Sequence, residues 1–271
     1  MRTWTIDRGI LAAFCGILAG LNAISAPLIE AVVKVGPLYA SATLAGISAG
    51  IWFAFAGCYL IAREDGPAEP ARSTDFAIAA CTGIAALIPF AEAANLAVFA
   101  GGVYFGLTSR AGTRTRRIGI VLLAMSGTMI WGRIVLALFS PVLLPLDGAL
   151  VSALAGTNAS GNVVEFVDGN RFVIGKGCSS VHNLTFAVLL WGTVTQLLAL
   201  PITGRQIMVC VFAMVATAMV NVCRLVTIAL FPARFEFLHA GDGGAMFGWA
   251  SMLVAAAIIG RGAYVEARRP V

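Results

Sequence analysis

The stretch IMVCVFAMVATAMVNVCRLVTIALF (207–231) decides the class of fold. A transmembrane helix needs about 20 predominantly apolar residues, and this run is long enough to cross a bilayer. Its polar positions Thr217, Asn221 and Arg224 follow the spacing i, i+4, i+7 and therefore share one face of the helix. Because a charge inside such a span is energetically costly, Arg224 marks a candidate functional site; an arginine that snorkels to the interface is the alternative.

The composition of the whole chain agrees with that stretch. Hydrophobic residues make up 59% of the 271 residues, charged residues make up 11%, and the mean hydropathy is +0.91. A soluble domain carries about 25% charged residues, so a soluble enzyme, a disordered chain, a coiled coil and a disulfide-stapled secreted module are excluded. The net charge of +5 lies in short loops, not in a basic stripe with interleaved aromatic residues, so no nucleic-acid partner is expected. The expected partner is the lipid bilayer.

The expected fold is an all-α integral membrane protein with about eight transmembrane helices. In the apolar stretch 76–109, two runs flank Glu92 and Asn95, with Pro89 just before them, so it forms either one long broken helix or two short ones. Two helices are expected, because only then do all the basic loops fall on one side of the membrane. Glycines four residues apart, such as Gly102 and Gly106, predict close packing between helices. The six other predicted spans are residues 10–33, 38–62, 118–140, 179–200, 207–231 and 244–262.

Basic residues set the predicted orientation in the membrane. With eight helices and an inner amino terminus, twelve of the 18 Lys and Arg residues fall on the inner side and four on the outer side, as the positive-inside rule requires. Arg133 and Arg224 fall within spans. The residues expected on the inner side are Arg2, Arg8, Arg63, Arg72, Arg110, Arg114, Arg116, Arg117, Arg205, Arg261, Arg268 and Arg269.

One polytopic membrane domain is expected over residues 1–271, with an N-terminal four-helix part (1–117) and a second part (118–271). The only sizeable outer segment predicted is the loop 141–177. Within it, NVVEFVDGNRFVIG (162–175) contains two short β runs around an Asp-Gly turn. This pattern predicts a β-hairpin on the outer side, immediately before the sixth span.

Cys178 differs from the other five cysteines. All six stand singly, without the paired spacing of a zinc site or a disulfide framework, so no metal is expected. Cys178 follows Gly-Lys-Gly, precedes two serines, and is expected to open the helix 179–200 at the outer face. A helix amino terminus and a nearby arginine both favour the thiolate, which is the nucleophilic form of cysteine. If Cys178 is considered alone, the alternative is that it is a cysteine without a function that happens to lie at the membrane interface.

Both histidines are predicted on the same outer side as Cys178. His182 lies four residues after Cys178, and His239 lies between the last two spans. A cysteine, an intramembrane arginine and a histidine can fill the three roles of thiol-mediated acyl transfer, namely nucleophile, oxyanion stabiliser and general acid–base. Arg133 is either a second contributor to the site or a structural ion-pair partner, and the sequence does not choose between these roles.

Three blocks in the second half of the chain form a recognisable set. They are GKGCSSVHNL (175–184), NVCRLVTIAL (221–230) and FLHAGDGGAMFGW (237–249). In order and spacing they resemble the nucleophile motif, the Asn-x-x-Arg helix and the histidine block of the exosortase/archaeosortase family of membrane transpeptidases. The resemblance covers about residues 150–262. The chain departs from the family pattern at Ser180, where glycine is usual.

The resemblance implies a cysteine peptidase or transpeptidase with Cys178 as nucleophile, Arg224 as oxyanion stabiliser and His239, in preference to His182, as acid–base. The implied substrates are secreted proteins with a C-terminal sorting signal, composed of a short motif, a transmembrane helix and a basic tail. They are cleaved at the outer interface through a thioester, without a cofactor. The implied location is the bacterial cytoplasmic (inner) membrane, with the active site toward the periplasm. The supporting residues expected around the site are His182, Asn221, Ser179 and Arg133.

Two other functions remain open at this stage. The chain is alternatively a polytopic transporter or channel in which Arg224 and Arg133 bind an anionic substrate, or a relative of the family that has lost catalysis. Transporters are typically built from internal repeats, and no counterpart to the broken run 76–109 is present in the sequence. Cysteine labelling separates the three functions, because neither alternative needs an activated Cys178.

Overall fold

The computed structural model of the chain is mainly helical, with one small sheet. It describes residues 6–65, 69–88, 90–239 and 241–269. Arg2, expected on the inner side, and Pro89, expected at a helix break, lie outside these residues. The described helices are α1 (Arg8–Ala23), α2 (Ser25–Val35), α3 (Pro37–Ala42), α4 (Ala49–Ala62), α5 (Ser73–Leu87), α6 (Ala91–Thr108), α7 (Arg114–Ser126), α8 (Gly132–Ala155), α9 (Val181–Leu197), α10 (Gly204–Leu230), α11 (Phe235–His239) and α12 (Asp242–Ala267).

The chain divides into two compact units. The first unit contains the residues up to 130 together with 189–201, and the second contains residues 131–188 and those from 202 onward. Each unit has its own buried polar and apolar contacts. The second unit contains all the residues that were predicted to take part in chemistry.

Among the described residues, three helices are long and apolar enough to cross a membrane: Arg114–Ala155, Gly204–Leu230 and Asp242–Ala267. The pair α1 and α2 makes a fourth if its bend of 52° is counted within one span. These helices support the expected all-α membrane fold. By length and composition, however, fewer than the expected eight helices qualify as membrane spans. Other apolar stretches form helices that are too short to qualify, such as α4 and α5.

The predicted break in the run 76–109 is confirmed, since α5 ends at Leu87 and α6 begins at Ala91. The predicted span 118–140 is wrong at its end. The helix that begins at Arg114 includes a π-helical turn and continues to Ala155 with two prolines inside it, so the first part of the expected outer loop 141–177 is helical. Proline usually interrupts a helix, and the predicted span ended at residue 140, directly before the first of these prolines. In membrane proteins a proline is tolerated within a helix, because neighbouring groups satisfy the backbone groups that it leaves unpaired.

The predicted hairpin is confirmed and is part of a three-stranded antiparallel sheet. The order is β1 (Ala159–Ser160), β2 (Val163–Glu165) and β3 (Arg171–Val173). The turn between β2 and β3 is closed because the Asp168 carboxylate accepts a hydrogen bond from the Asn170 backbone N–H at 3.0 Å. Gly169 has a φ of 87°, which a residue with a side chain rarely adopts.

A buried ion pair joins three helices of the first unit. The Arg8 Nε donates to both carboxylate oxygens of Asp75 at 3.0 Å, and the two side chains are 1% and 0% exposed. Tyr104 Oη donates to the same carboxylate at 2.8 Å, and Arg8 Nη1 donates to Ser109 Oγ at 2.9 Å. Arg8, which was expected only as a topology signal, thus has a structural role, since its removal would leave a buried carboxylate without its charged partner.

Glycines allow α6 and α7 to approach closely, as their spacing predicted. A Cβ atom added at Gly102 would lie 2.7 Å from the backbone nitrogen of Leu123. A Cβ atom added at Gly119 would lie 2.4 Å from the backbone nitrogen of Gly106. Both distances are far below van der Waals contact, and both contacts are with backbone that cannot rotate away. These positions therefore exclude any larger residue at the present helix separation.

We expect Gly102→Ala to lower the free energy of unfolding by about 1–3 kcal/mol, the usual penalty for an overpacked site. Gly101→Ala is the matched control, because Gly101 is the neighbouring buried residue of α6 and a Cβ there has no atom within 4 Å. Thermal unfolding of the two purified variants in detergent measures the difference. Equal midpoints for the two variants would contradict the close α6–α7 contact.

The core of the second unit holds the sheet against helices α8, α10 and α11. The Val167 N–H donates to the carbonyl of Ala229 at 3.2 Å, which ties the hairpin to the end of α10. Cys178 and Phe235 pack at the edge of this core, so burial of the sheet also fixes the segments that carry the candidate site. The buried core residues are Leu144, Val151, Val164, Phe166, Phe172, Ile174, Val222, Leu225, Ile228, Ala229 and Leu238.

Candidate active site

Cys178 and His239 lie in hydrogen-bond contact in the second unit. The Cys178 Sγ is 3.0 Å from the His239 Nε2, and both residues are half-buried. Sixty-one positions of sequence separate them, so the contact is made by the fold and not by local geometry. A thiol and an imidazole at this distance can exchange a proton directly, which is the arrangement of an activated cysteine nucleophile and its base.

The His239 ring is held from two directions. His239 is the last residue of α11, and its ring stacks on that of Phe235, with centroids 5.0 Å apart and an interplanar angle of 11°. Arg224 of α10 fixes the backbone, because its Nε donates to the carbonyl of Leu238 at 2.9 Å and its Nη2 donates to the carbonyl of His239. Basic side chains commonly bind the free carbonyls at a helix carboxyl end. These contacts fix the position of the imidazole.

The sequence did not predict the backbone contacts of Arg224. The residue was expected to stabilise an oxyanion, and in the structure two of its nitrogens bind the backbone carbonyls of Leu238 and His239. Its Nη1 has no hydrogen-bond partner among the described residues. The guanidinium is half-buried and planar, so it can hold α11 in place and still present donors to a bound group.

Cys178 ends a 3₁₀ turn, Lys176–Cys178, and does not open a helix as predicted. Helix α9 begins three residues later, at Val181, and ends at Leu197. Ser179 Oγ accepts a hydrogen bond from the Val181 N–H at 3.3 Å, so Ser179 caps the start of α9 and is itself buried. Cys178 thus lies on a short connection between the sheet and α9, and the contacts of that connection determine where its sulfur points.

The polar stripe of α10 contacts this connection. Asn221 Nδ2 donates to the carbonyl of Cys178 at 2.8 Å. One turn earlier, the Thr217 hydroxyl lies 3.0 Å from the Met214 carbonyl of its own helix and 3.3 Å from the carbonyl of Asn183. Together with Arg224, the positions of the stripe contact the segments that carry Cys178 and His239. The shared face that the sequence predicted is thus the face that holds the candidate site.

Two predicted supporting residues are not brought to Cys178. His182 is exposed, and among the described residues no hydrogen bond joins its ring to Cys178. The i, i+4 relation between them does not apply, because α9 starts only at Val181. Arg133 is also exposed and forms no ion pair or hydrogen bond within the described part of the chain.

The sequence did not single out Asp147, which the structure places beside Ser180. The Asp147 carboxylate is 6% exposed and accepts hydrogen bonds from the Ser180 Oγ at 2.9 Å and the Ser180 N–H at 3.2 Å. Its signal in the sequence was an isolated acidic residue within the apolar stretch 134–155. The signal was missed because this residue was assigned to an outer loop, where a carboxylate is unremarkable.

Across the described ranges, no three side chains of His, Cys, Asp or Glu lie close enough together to hold a metal ion. The chemistry available to these residues is nucleophilic attack by sulfur with proton transfer by imidazole.

Comparison with known proteins does not assign the chain to a family. No protein-family model, curated protein or solved structure matches it. The geometry of Cys178, His239 and Arg224, together with the polar contacts around them, is therefore the basis for a functional conclusion.

The thiol of Cys178 is expected to react faster than free cysteine in solution, although it is itself half-buried. At about pH 6.5 an ordinary thiol, with a pKa near 8.5, is about 1% ionised, so only a thiol with a nearby base should react rapidly. Iodoacetamide labelling of a variant that keeps Cys178 as its single cysteine measures the rate.

His239→Ala should lower the Cys178 rate to that of free cysteine or below it, because the base is removed. His182→Ala is the matched control and should leave the rate unchanged, since among the described residues the sulfur has its hydrogen-bond contact with His239 and none with His182. A Cys178 rate that is insensitive to His239→Ala would mean that the two side chains do not form a working pair.

Proposed function

We propose that the chain is a membrane-embedded cysteine transpeptidase or protease of the exosortase/archaeosortase kind. The observation that carries this proposal is the 3.0 Å contact between Cys178 Sγ and His239 Nε2. The resemblance of the three sequence blocks supplies the substrate class, which is secreted proteins with a C-terminal motif, a transmembrane helix and a basic tail. Three long apolar helices are consistent with action at a membrane.

The reaction begins with proton transfer from the Cys178 thiol to the His239 Nε2. The thiolate attacks the carbonyl carbon of the scissile peptide bond, and the carbonyl oxygen takes up the negative charge. The imidazolium of His239 then gives its proton to the leaving amine as the C–N bond breaks, which leaves an acyl thioester on Cys178. An amine acceptor or water attacks the thioester, with His239 taking its proton, and Cys178 is released as the thiol.

Arg224 has two roles in this proposal. Its contacts with the carbonyls of Leu238 and His239 hold the imidazole near the sulfur. Its Nη1, which binds no described residue, is the donor assigned to the oxyanion that forms during attack. A charged donor fixed before the reaction stabilises a developing negative charge without reorganisation of the site.

The proposed topology has eight transmembrane helices in a bacterial cytoplasmic membrane. The excess of Lys and Arg in one set of loops supports an inner amino terminus and an outer position for Cys178 and His239. The shorter helices α4, α5, α6 and α9 complete the eight spans in this proposal. They would cross a locally thin bilayer or span it only with their flanking residues.

Co-expression with secreted proteins that carry candidate sorting signals tests the function. We expect a protein with the matching signal to lose its C-terminal helix and basic tail, as observed by a size shift and by loss of a C-terminal tag. Cys178→Ala should abolish this cleavage, and Cys81→Ala should leave it intact, because Cys81 has no histidine beside it. Cleavage that persists in Cys178→Ala would exclude Cys178 as the nucleophile.

The transporter and the inactive relative make different predictions in the same experiment. Neither cleaves a co-expressed protein, and neither needs a thiol more reactive than an ordinary one. The contacts of Arg224 favour the enzyme, because two of its nitrogens are engaged in holding the backbone of α11 and only part of its hydrogen-bonding capacity is left for a transported anion.

Arg224→Lys is expected to reduce cleavage by about 10²–10³, the usual loss when one oxyanion donor is removed. Lysine keeps the positive charge but lacks the planar set of donors that can bind two carbonyls and an oxyanion at once. The measurement is the cleavage rate in membranes at matched protein levels, with Arg133→Lys as the control for an exposed arginine. Wild-type cleavage by Arg224→Lys would remove Arg224 from the mechanism.

A further inference from the structure

We propose that Asp147 is a positioning residue that fixes the Cys178–Ser180 segment, so that the Cys178 sulfur is held next to His239. This inference rests on the proposed function and assigns a role to a residue that neither the motif blocks nor the polar stripe of α10 contains. Asp147 belongs to α8, whereas the stripe belongs to α10, so the segment is held from two helices.

Asp147 is an unusual residue for its surroundings. It is 6% exposed, and no Lys, Arg or His of the described residues lies within ion-pair distance of it. An unpaired buried carboxylate is destabilising unless hydrogen bonds compensate, and a neutral residue of similar size would avoid this penalty. Within the described part of the chain, the compensation comes from Ser180, through its Oγ at 2.9 Å and its N–H at 3.2 Å.

The position of Ser180 explains why a negative charge suits this site. Ser180 immediately precedes α9, whose 17 residues begin at Val181. The free N–H groups at a helix start carry partial positive charge and favour a nearby carboxylate. Asp147 therefore acts as a cap for α9 that is supplied by another helix, while Ser179 provides the local cap through its own hydroxyl.

A directed chain of hydrogen bonds links Asp147 to the backbone of Cys178. Asn221 Nδ2 donates to the carbonyl of Cys178 at 2.8 Å and to the Ser180 Oγ at 3.4 Å. The Ser180 hydroxyl in turn donates to Asp147 Oδ1. Because a carboxylate only accepts hydrogen bonds, it orients the serine hydroxyl, which then accepts from Asn221.

The neighbouring residue Gly148 fixes where α8 stands relative to the sheet. A Cβ atom added at Gly148 would lie 2.4 Å from the carbonyl oxygen of Gly161, in the turn between β1 and β2. The helix thus contacts the sheet and the Cys178–Ser180 segment at adjacent positions. Two rigid elements, α8 and α10, therefore define the location of a segment that has no regular structure beyond the turn at Lys176–Cys178.

The test measures how strongly Cys178 labelling depends on His239, in the full-length protein and without any substrate. Asp147→Ala should reduce the Cys178 alkylation rate to that of His239→Ala, and combining the two substitutions should cause no further loss. Asp147→Asn should lie between wild type and Asp147→Ala, because an amide oxygen can still accept from the Ser180 N–H. Ser152→Ala is the control on the same helix, since the Ser152 hydroxyl bonds only the carbonyl of Ala149.

Cleavage of a sorting-signal protein is the second readout. A displacement of about 1 Å at a reacting group can lower a rate by about 10², so Asp147→Ala should lose cleavage by roughly that factor at matched protein level. If Asp147→Ala does not accumulate in the membrane, Asp147→Asn and Ser180→Ala carry the test. Both should weaken the dependence of labelling on His239.

The positioning role would be overturned if Asp147→Ala, or both Asp147→Asn and Ser180→Ala, kept the wild-type Cys178 alkylation rate and its dependence on His239. It would also be overturned if Asp147→Asn and Asp147→Ala lowered this rate equally while Ser152→Ala did not, because the amide oxygen that still accepts from Ser180 would then have no effect. If labelling changes as expected but no signal-bearing protein is cleaved even by the wild type, the positioning role stands and the sorting function fails.

Discussion

The structure of the site depends on one constraint: polar side chains within an apolar helix must find hydrogen-bond partners inside the protein. In a bilayer no water is present to satisfy them, so their partners are fixed by the fold. On α10 those side chains are Asn221 and Arg224, and their partners are the backbone carbonyls of Cys178, Leu238 and His239. The energetic need to satisfy these two side chains brings the segment of Cys178 and the segment of His239 to the same place.

The remaining features of the second unit follow from this arrangement. The sheet buries Phe166 and Phe172 against the far end of α10, which places the 3₁₀ turn at Lys176–Cys178 beside the stripe. The aromatic ring of Phe235 extends that apolar cluster and stacks on His239. Apolar packing therefore sets the distance between the two segments, and the hydrogen bonds of the stripe set their orientation. The result is the 3.0 Å contact between Cys178 Sγ and His239 Nε2.

The sequence predicted those features that depend on periodicity and on local turn chemistry. The polar stripe follows from helical spacing, the hairpin from an Asp-Gly turn between β runs, and the break in 76–109 from its proline-interrupted pattern. The close α6–α7 contact follows from Gly102 and Gly106. In the candidate site, the pairing of Cys178 with a distant histidine was anticipated from the three blocks, and His239 is the histidine that the structure places there.

Tertiary packing determined the features that the sequence did not predict. The helix through Pro141 and Pro145 continues to Ala155, and only this extension places Asp147 near Ser180. The start of α9 at Val181 rather than 179 separates His182 from Cys178, and no local pattern distinguishes a helical turn from a 3₁₀ turn at that point. Fewer helices than the expected eight reach spanning length among the described residues, because apolar runs such as 38–62 are broken into shorter helices, here α3 and α4.

The central claim is that Cys178 carries an acyl group during turnover, and the most direct measurement is mass spectrometry of the Cys178 peptide from membranes that contain a cleaved substrate. The account predicts a substrate-derived acyl adduct on Cys178 that hydroxylamine removes, as expected of a thioester, and its disappearance in His239→Ala. Detection of the adduct on another cysteine, or cleavage of the substrate with no adduct on Cys178 under conditions that trap thioesters, would contradict the account.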